Sequence, residues 1–148
     1  MAKEFYYLLA FVSGLLIAVQ AGVNSQLRIV IQHPILAALI SFLVGSVLLV
    51  GVYLFSTKAA TPISSLSTVS WWKLTGGVFG AIYIFSMILI APKIGAANAL
   101  GFVIAGQLLC AVVLDHFGWV GFPVKEISWV RIIGVITIIL GVYLVQKK

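Results

Sequence analysis

Apolar residues run through this chain in five long blocks, at residues 5–27, 35–55, 71–91, 95–114 and 129–146. A helix rising about 1.5 Å per residue needs about 20 residues to cross a hydrocarbon core of about 30 Å. Each block meets or approaches that length, so the pattern predicts five transmembrane helices. The blocks are continuously apolar rather than alternating, which argues against a transmembrane β-barrel. Breakers and charges fill the gaps. Arg28, His33 and Pro34 separate the first two spans, with Pro34 placed to open the second helix. A polar stretch from Ser56 to Ser70, holding Lys58 and Pro62, joins the second and third. Pro92-Lys93-Ile94-Gly95 predicts a tight turn and antiparallel packing of spans three and four, and residues 115–128, with Gly118, Gly121 and Pro123, link the last two. The first block is expected to be a retained helix rather than a cleaved signal peptide, because it outlasts the usual apolar core and lacks a small-x-small site. Tyr6, Tyr7, Tyr53, Trp71, Trp72, Trp129 and Tyr143 fall near span ends, where amphipathic rings favour the interface.

Composition agrees with the pattern. Of 148 residues, 63% are hydrophobic and 8% charged, with a mean hydropathy of +1.24. Soluble domains carry about 25% charged residues, so this chain cannot cover a globule with polar surface. Cys110 is alone, which excludes a disulfide scaffold. The net charge of +6 is scattered singly between apolar runs and forms no nucleic-acid face. Anionic lipid headgroups are the expected counter-charge, and nucleic acid is not an expected partner. The fold class is all-α: a polytopic membrane protein with a single transmembrane domain over residues 1–148.

Five spans put the termini on opposite sides. The side of the N-terminus then carries Lys3, Lys58, Lys73, Lys125 and Arg131; the other side carries Arg28, Lys93, Lys147 and Lys148. Lys/Arg excess normally sets orientation, and five against four is almost no instruction. Either one residue, such as Arg28 or Lys93, decides a single topology, or the chain inserts both ways round. In the second case two opposed copies build an antiparallel dimer of ten helices, reproducing with two chains the inverted repeats of many transporters.

Polar residues inside spans are expensive and mark functional sites. Ser13, Ile17, Gln20, Asn24 and Arg28 follow one another at steps of four, three, four and four, which places them within a stripe of roughly 80° on one helix. Gln107 stands near the middle of span four. These amides are either glue between helices or the lining of a polar path. In an antiparallel dimer, two copies of Gln20 and Gln107 straddle the midplane, where secondary transporters bind substrate. Asn98 points away from Gln107 and is expected to play a structural part. No Asp or Glu lies inside a span, which argues against a tightly proton-coupled exporter of cationic drugs. Asp115 and His116, at one end of span four, are either a polar helix terminus or an ionisable pair fit for a proton relay or gate. Asp115 of one copy is also expected to meet Arg28 of an opposed copy. Gly76, Gly80, Gly101, Gly134 and Gly141 read as helix-packing positions. His33 and His116 lack metal-ligand company, no nucleophile and base stand together, and no phosphate-binding loop is present. No metal, cofactor or enzymatic activity is expected.

The segment Gln20-Ala-Gly-Val-Asn24-Ser-Gln26-Leu27 resembles the first-helix signature of the small YdcZ-like family of the drug/metabolite transporter superfamily. Ser41-Phe42 with Gly45, Trp72 with Gly76-Gly77 and Gly80, Pro92 with Gly95, Gly106-Gln107, Asp115-His116-Phe117-Gly118, and Arg131 with Gly134 extend the resemblance in order along nearly the whole chain. It implies a bacterial cytoplasmic (inner) membrane protein equivalent to half of a ten-helix transporter. It also implies a partner: itself as a dual-topology homodimer, or a paralogous chain. The resulting expectation is a secondary transporter of a small polar metabolite by alternating access. Gln20, Asn24 and Gln107 hydrogen-bond the substrate, and Arg28 attracts an anionic or zwitterionic group. Neutral, zwitterionic or anionic solutes are favoured over lipophilic cations. The competing expectation is a non-transporting membrane subunit or passive pore with structural amides.

Overall fold

The computed structural model describes residues 2–56 and 69–147. Lys58, Pro62 and Lys148 lie outside them, as does most of the polar stretch between the second and third spans. The described residues are all-helical: α1 (Ala2–Ile31), α2 (Pro34–Phe55), α3 (Gly76–Ile94), α4 (Ala96–Phe117) and α5 (Trp129–Gln146), with a 3-10 turn at Trp71–Thr75 leading into α3. Five helical segments among the described residues are long and apolar enough to cross a membrane. The chain forms two compact units, Met1–Pro92 and Lys93–Lys148.

In the first unit, α1 runs four residues past the expected end at Leu27, because Arg28 to Ile31 contain nothing that stops a helix. The stop comes next. Gln32 adopts a left-handed conformation (φ 57°) and its N–H closes on Arg28 O at 2.7 Å. His33 is extended, as a residue before proline must be. Its Nδ1 accepts the Leu36 N–H at 3.2 Å, capping α2, and Pro34 opens the helix where a missing N–H costs nothing. The core of this unit is small: Ala37 and Ala38 of α2 against Ile84 and Ile88 of α3, with Leu27, Tyr83 and Phe85 packed around them. Most large apolar side chains point outward, as expected where lipid tails are as apolar as the core. A Cβ built on Gly80 would lie 3.5 Å from the Phe42 ring. α3 extends through Pro92 to Ile94, past the point at Pro92 where the sequence predicts a turn.

The second unit is a helical pair. Gly95 takes φ 87°, open to glycine and strained for other residues, and links α3 to α4 in one residue. Asn98 Nδ2 donates back to Ile94 O at 2.8 Å, tying that turn. α4 runs three residues beyond the expected end at Leu114, to Phe117. The polar pair Asp115-His116 reads as a helix end in sequence, but Gly118, left-handed at φ 64°, is the stop. α4 and α5 approach closely at Gly101, where a Cβ would lie 2.8 Å from Val142 Cγ1. Gly76, Gly134 and Gly141 have open space around them.

Candidate functional site

The polar stripe of α1 sits in the first unit. Asn24 is 4% exposed, and its Nδ2 has no hydrogen-bond partner among the described residues. Its neighbours explain the burial: Ala21 on the same face is also buried, and small residues let the helices close over the amide. Gln20, one turn earlier, is exposed on the single chain. With Ser41, Phe42, Gly45, Ser46 and Leu49 of α2 it lines a cleft of about 210 Å³. Ser41 and Ser46 give that cleft hydroxyl groups in the middle of a span. Ser46 was not singled out in the sequence, because a serine inside a membrane helix satisfies its hydroxyl against its own backbone and carries little signal. Elsewhere on α1 that is what happens: Ser13 Oγ donates to Leu9 O and Ser25 Oγ to Ala21 O, both at 2.8 Å.

Arg28 closes the stripe. It is half-buried, and its Nη1 donates to Ile88 O on α3 at 3.3 Å. A proline lies behind this contact. In a helix the Ile88 carbonyl would receive the N–H of residue 92, but Pro92 has none. The vacated acceptor takes a guanidinium instead.

In the second unit Gln107 stands at the centre of α4 and is exposed. Its side chain forms no hydrogen bond among the described residues, in contrast to Asn98. Asp115 and His116, in the last turn of α4, hold the loop that follows it. Asp115 Oδ2 is 2.6 Å from Arg131 Nη2 of the same chain, with side-chain exposures of 22% and 27% respectively. The Asp115 carbonyl accepts the Lys125 N–H at 2.8 Å, and Arg131 Nη1 donates to Lys125 O at 2.7 Å. His116 Nδ1 accepts the Ile127 N–H at 3.3 Å, and Ser128 Oγ caps α5 through the Arg131 N–H. The Phe117 and Trp119 rings stack at 4.8 Å over the turn. The acid expected to meet Arg28 of a second copy is thus already held by a cation of its own chain.

Five membrane-length helices, which carry the amides Gln20, Asn24 and Gln107 without hydrogen-bond partners for their side-chain donors among the described residues, define a polytopic α-helical membrane protein. Comparison with known proteins agrees. Residues 5–144 match the family described as "Putative inner membrane exporter, YdcZ". The chain is also 32% identical, over 114 residues, to the Inner membrane protein YdcZ of Escherichia coli (strain K12), a match covering 77% of this chain and 76% of that protein. The chain belongs to the YdcZ family and is a multi-pass inner-membrane protein of the membrane-transporter class. No solved structure matches it.

Proposed function

We propose that this protein is a secondary transporter of a small polar metabolite across the bacterial cytoplasmic membrane. It works by alternating access, as two chains of opposite topology forming a ten-helix antiparallel dimer. The observation that carries the proposal is the state of the mid-span amides. Gln20, Asn24 Nδ2 and Gln107 have no partner within the described residues. An amide facing hydrocarbon costs several kcal/mol, on the order of 4–8 by transfer to an alkane, so these groups need either substrate, water or a second chain. Gln20, Asn24 and Arg28 on one stripe, and Gln107 in the other unit, are assigned to substrate. The near balance of five cations against four between the two sides supports dual topology, and the family description supports export as the direction.

Two measurements test this. A compartment-sensitive reporter after Lys148 should report both sides of the membrane in comparable amounts; a one-sided report removes the antiparallel homodimer and leaves a parallel dimer or an oppositely inserted partner chain. In liposomes holding the purified protein, counterflow of a polar solute should saturate. Gln20→Leu and Asn24→Leu should abolish it while the dimer persists on cross-linking. Loss of the dimer in these variants, or an unsaturable leak in the unaltered protein, would instead assign the amides to helix packing.

A further inference from the structure

Arg28 has a partner for one corner and none for the rest. Its Nη1 is pinned to the carbonyl that Pro92 leaves vacant, 3.3 Å away on Ile88. A guanidinium has five N–H donors and no acceptor, and the remaining donors of Arg28 meet no acceptor among the described residues. No carboxylate of its own unit can reach it. The one acid among residues 1–92 is Glu4, 24 residues earlier on the same helix and thus about 36 Å away. Asp115, in the other unit, is engaged by Arg131. One turn before Arg28, on the same face, stands Asn24, buried and with its Nδ2 donor unpartnered among the described residues. Residues four apart on a helix have Cβ atoms about 5–6 Å apart. The pair therefore offers donors and positive charge, and what it lacks is an acceptor carrying negative charge.

We propose that Arg28 and Asn24 form an anion subsite that takes the carboxylate or phosphate group of a solute or of a lipid headgroup, with Pro92 preorganising it through the Ile88 carbonyl. The inference names the substrate class of the path proposed above and rests on that reading for its role in transport; the binding itself stands apart from it. Arg28, half-buried, is where the anion enters. Asn24, closed over in this conformation, joins when α1 parts from its neighbours. The vacant carbonyl is what fixes the guanidinium: a helix with a full set of hydrogen bonds at this position would leave the side chain free to swing out to the interface.

The chain has two arginines, Arg28 and Arg131, so the test can be resolved by site. The full-length protein in phosphatidylcholine vesicles is treated with phenylglyoxal, a permeant arginine reagent, and modification of each arginine is followed by mass spectrometry. Acetate and inorganic phosphate should slow modification of Arg28 about fivefold when present at several times their dissociation constant. Acetamide, neutral and of similar shape, should leave it unchanged, and Arg131 should respond to none of them. Pro92→Ala gives the Ile88 carbonyl a backbone partner, so Arg28 should label faster and lose most of its protection. Asn24→Leu should weaken the protection, and Asn24→Asp, should the leucine variant fail to fold, should remove it by placing an acceptor where the donor stood. Repeating the experiment in phosphatidylglycerol vesicles separates the two sources. Arg28 protected there without added anion, and insensitive to acetate, identifies a lipid headgroup site and withdraws the substrate role while the subsite stands. Protection by soluble anions in both vesicles identifies a solute. If acetate, phosphate and phosphatidylglycerol all leave Arg28 unprotected, or if Arg131 is slowed equally, the proposal is overturned whatever the flux measurements show.

Discussion

Replacing Asn24 by leucine should make the protein more stable while removing its transport. The two side chains have the same branching and the same number of heavy atoms, so leucine enters a site that is already 4% exposed with little change of shape. The unpartnered Nδ2 is a desolvated donor, and leaving such a group unsatisfied costs about 1–3 kcal/mol. Leucine removes that cost. Its methyl groups are bulkier than the amide atoms, and overpacking returns up to about 1 kcal/mol. The net expectation is a gain of about 1–2 kcal/mol, which is roughly a five- to thirtyfold change in the unfolding equilibrium. The measurement is reversible unfolding in mixed micelles as denaturing detergent is raised, followed by the fluorescence of the four tryptophans. Asn24→Ala run alongside reports the cavity alone, and it should fall below leucine by the packing lost. A leucine variant less stable than the unaltered protein by about 1 kcal/mol or more would mean that the amide is bonded in the resting state. It would then be glue, and the reasoning that offers it to substrate would fail.

Three further outcomes follow from the same geometry. Gly101→Ala places a Cβ 2.8 Å from Val142 Cγ1; since a β-branched side chain in a helix has one favoured rotamer, α4 and α5 must separate, at a cost of about 1–3 kcal/mol. Thermal unfolding of the double variant Gly101→Ala/Val142→Ala should recover most of that loss, and no recovery would place the strain elsewhere. Arg131→Leu removes two charge-assisted bonds, to Asp115 and to Lys125 O, and should cost about 2 kcal/mol, with faster amide exchange read at Lys125 and Ile127; unchanged exchange there would show that the loop is held by other contacts. Gly95→Ala forces a Cβ into φ 87° and should lower stability by about 1–2 kcal/mol, measured by the same unfolding titration, whereas Gly134→Ala, with open space around it, should change the single chain's stability by less than about 0.5 kcal/mol.

Much of this architecture is written locally. A bilayer requires every spanning segment to satisfy its own backbone and to match the hydrocarbon thickness, so five apolar runs and their breakers specify five helices without reference to one another. Pro34 opens α2 for the same local reason, and Gly118 is visible as a C-terminal stop once Asp115 and His116 are recognised as helical. The stripe of Gln20, Asn24 and Arg28 also follows from helical spacing alone, and so does the charge balance between the two sides. What the sequence leaves open is who meets whom. Helices apolar around nearly their whole circumference carry no phase that says which face packs inward, and so burial of Asn24 beside Ala21 and exposure of Gln20 and Gln107 appear only in the folded units. The partners of the charged residues are equally non-local: Arg28 reaches a carbonyl 60 residues away, and Asp115 an arginine 16 residues away. The sequence displays Pro92 as a turn former; the tertiary structure makes it the residue that frees a carbonyl, because an unmade backbone bond in hydrocarbon is filled by whichever donor the neighbouring helix brings within reach.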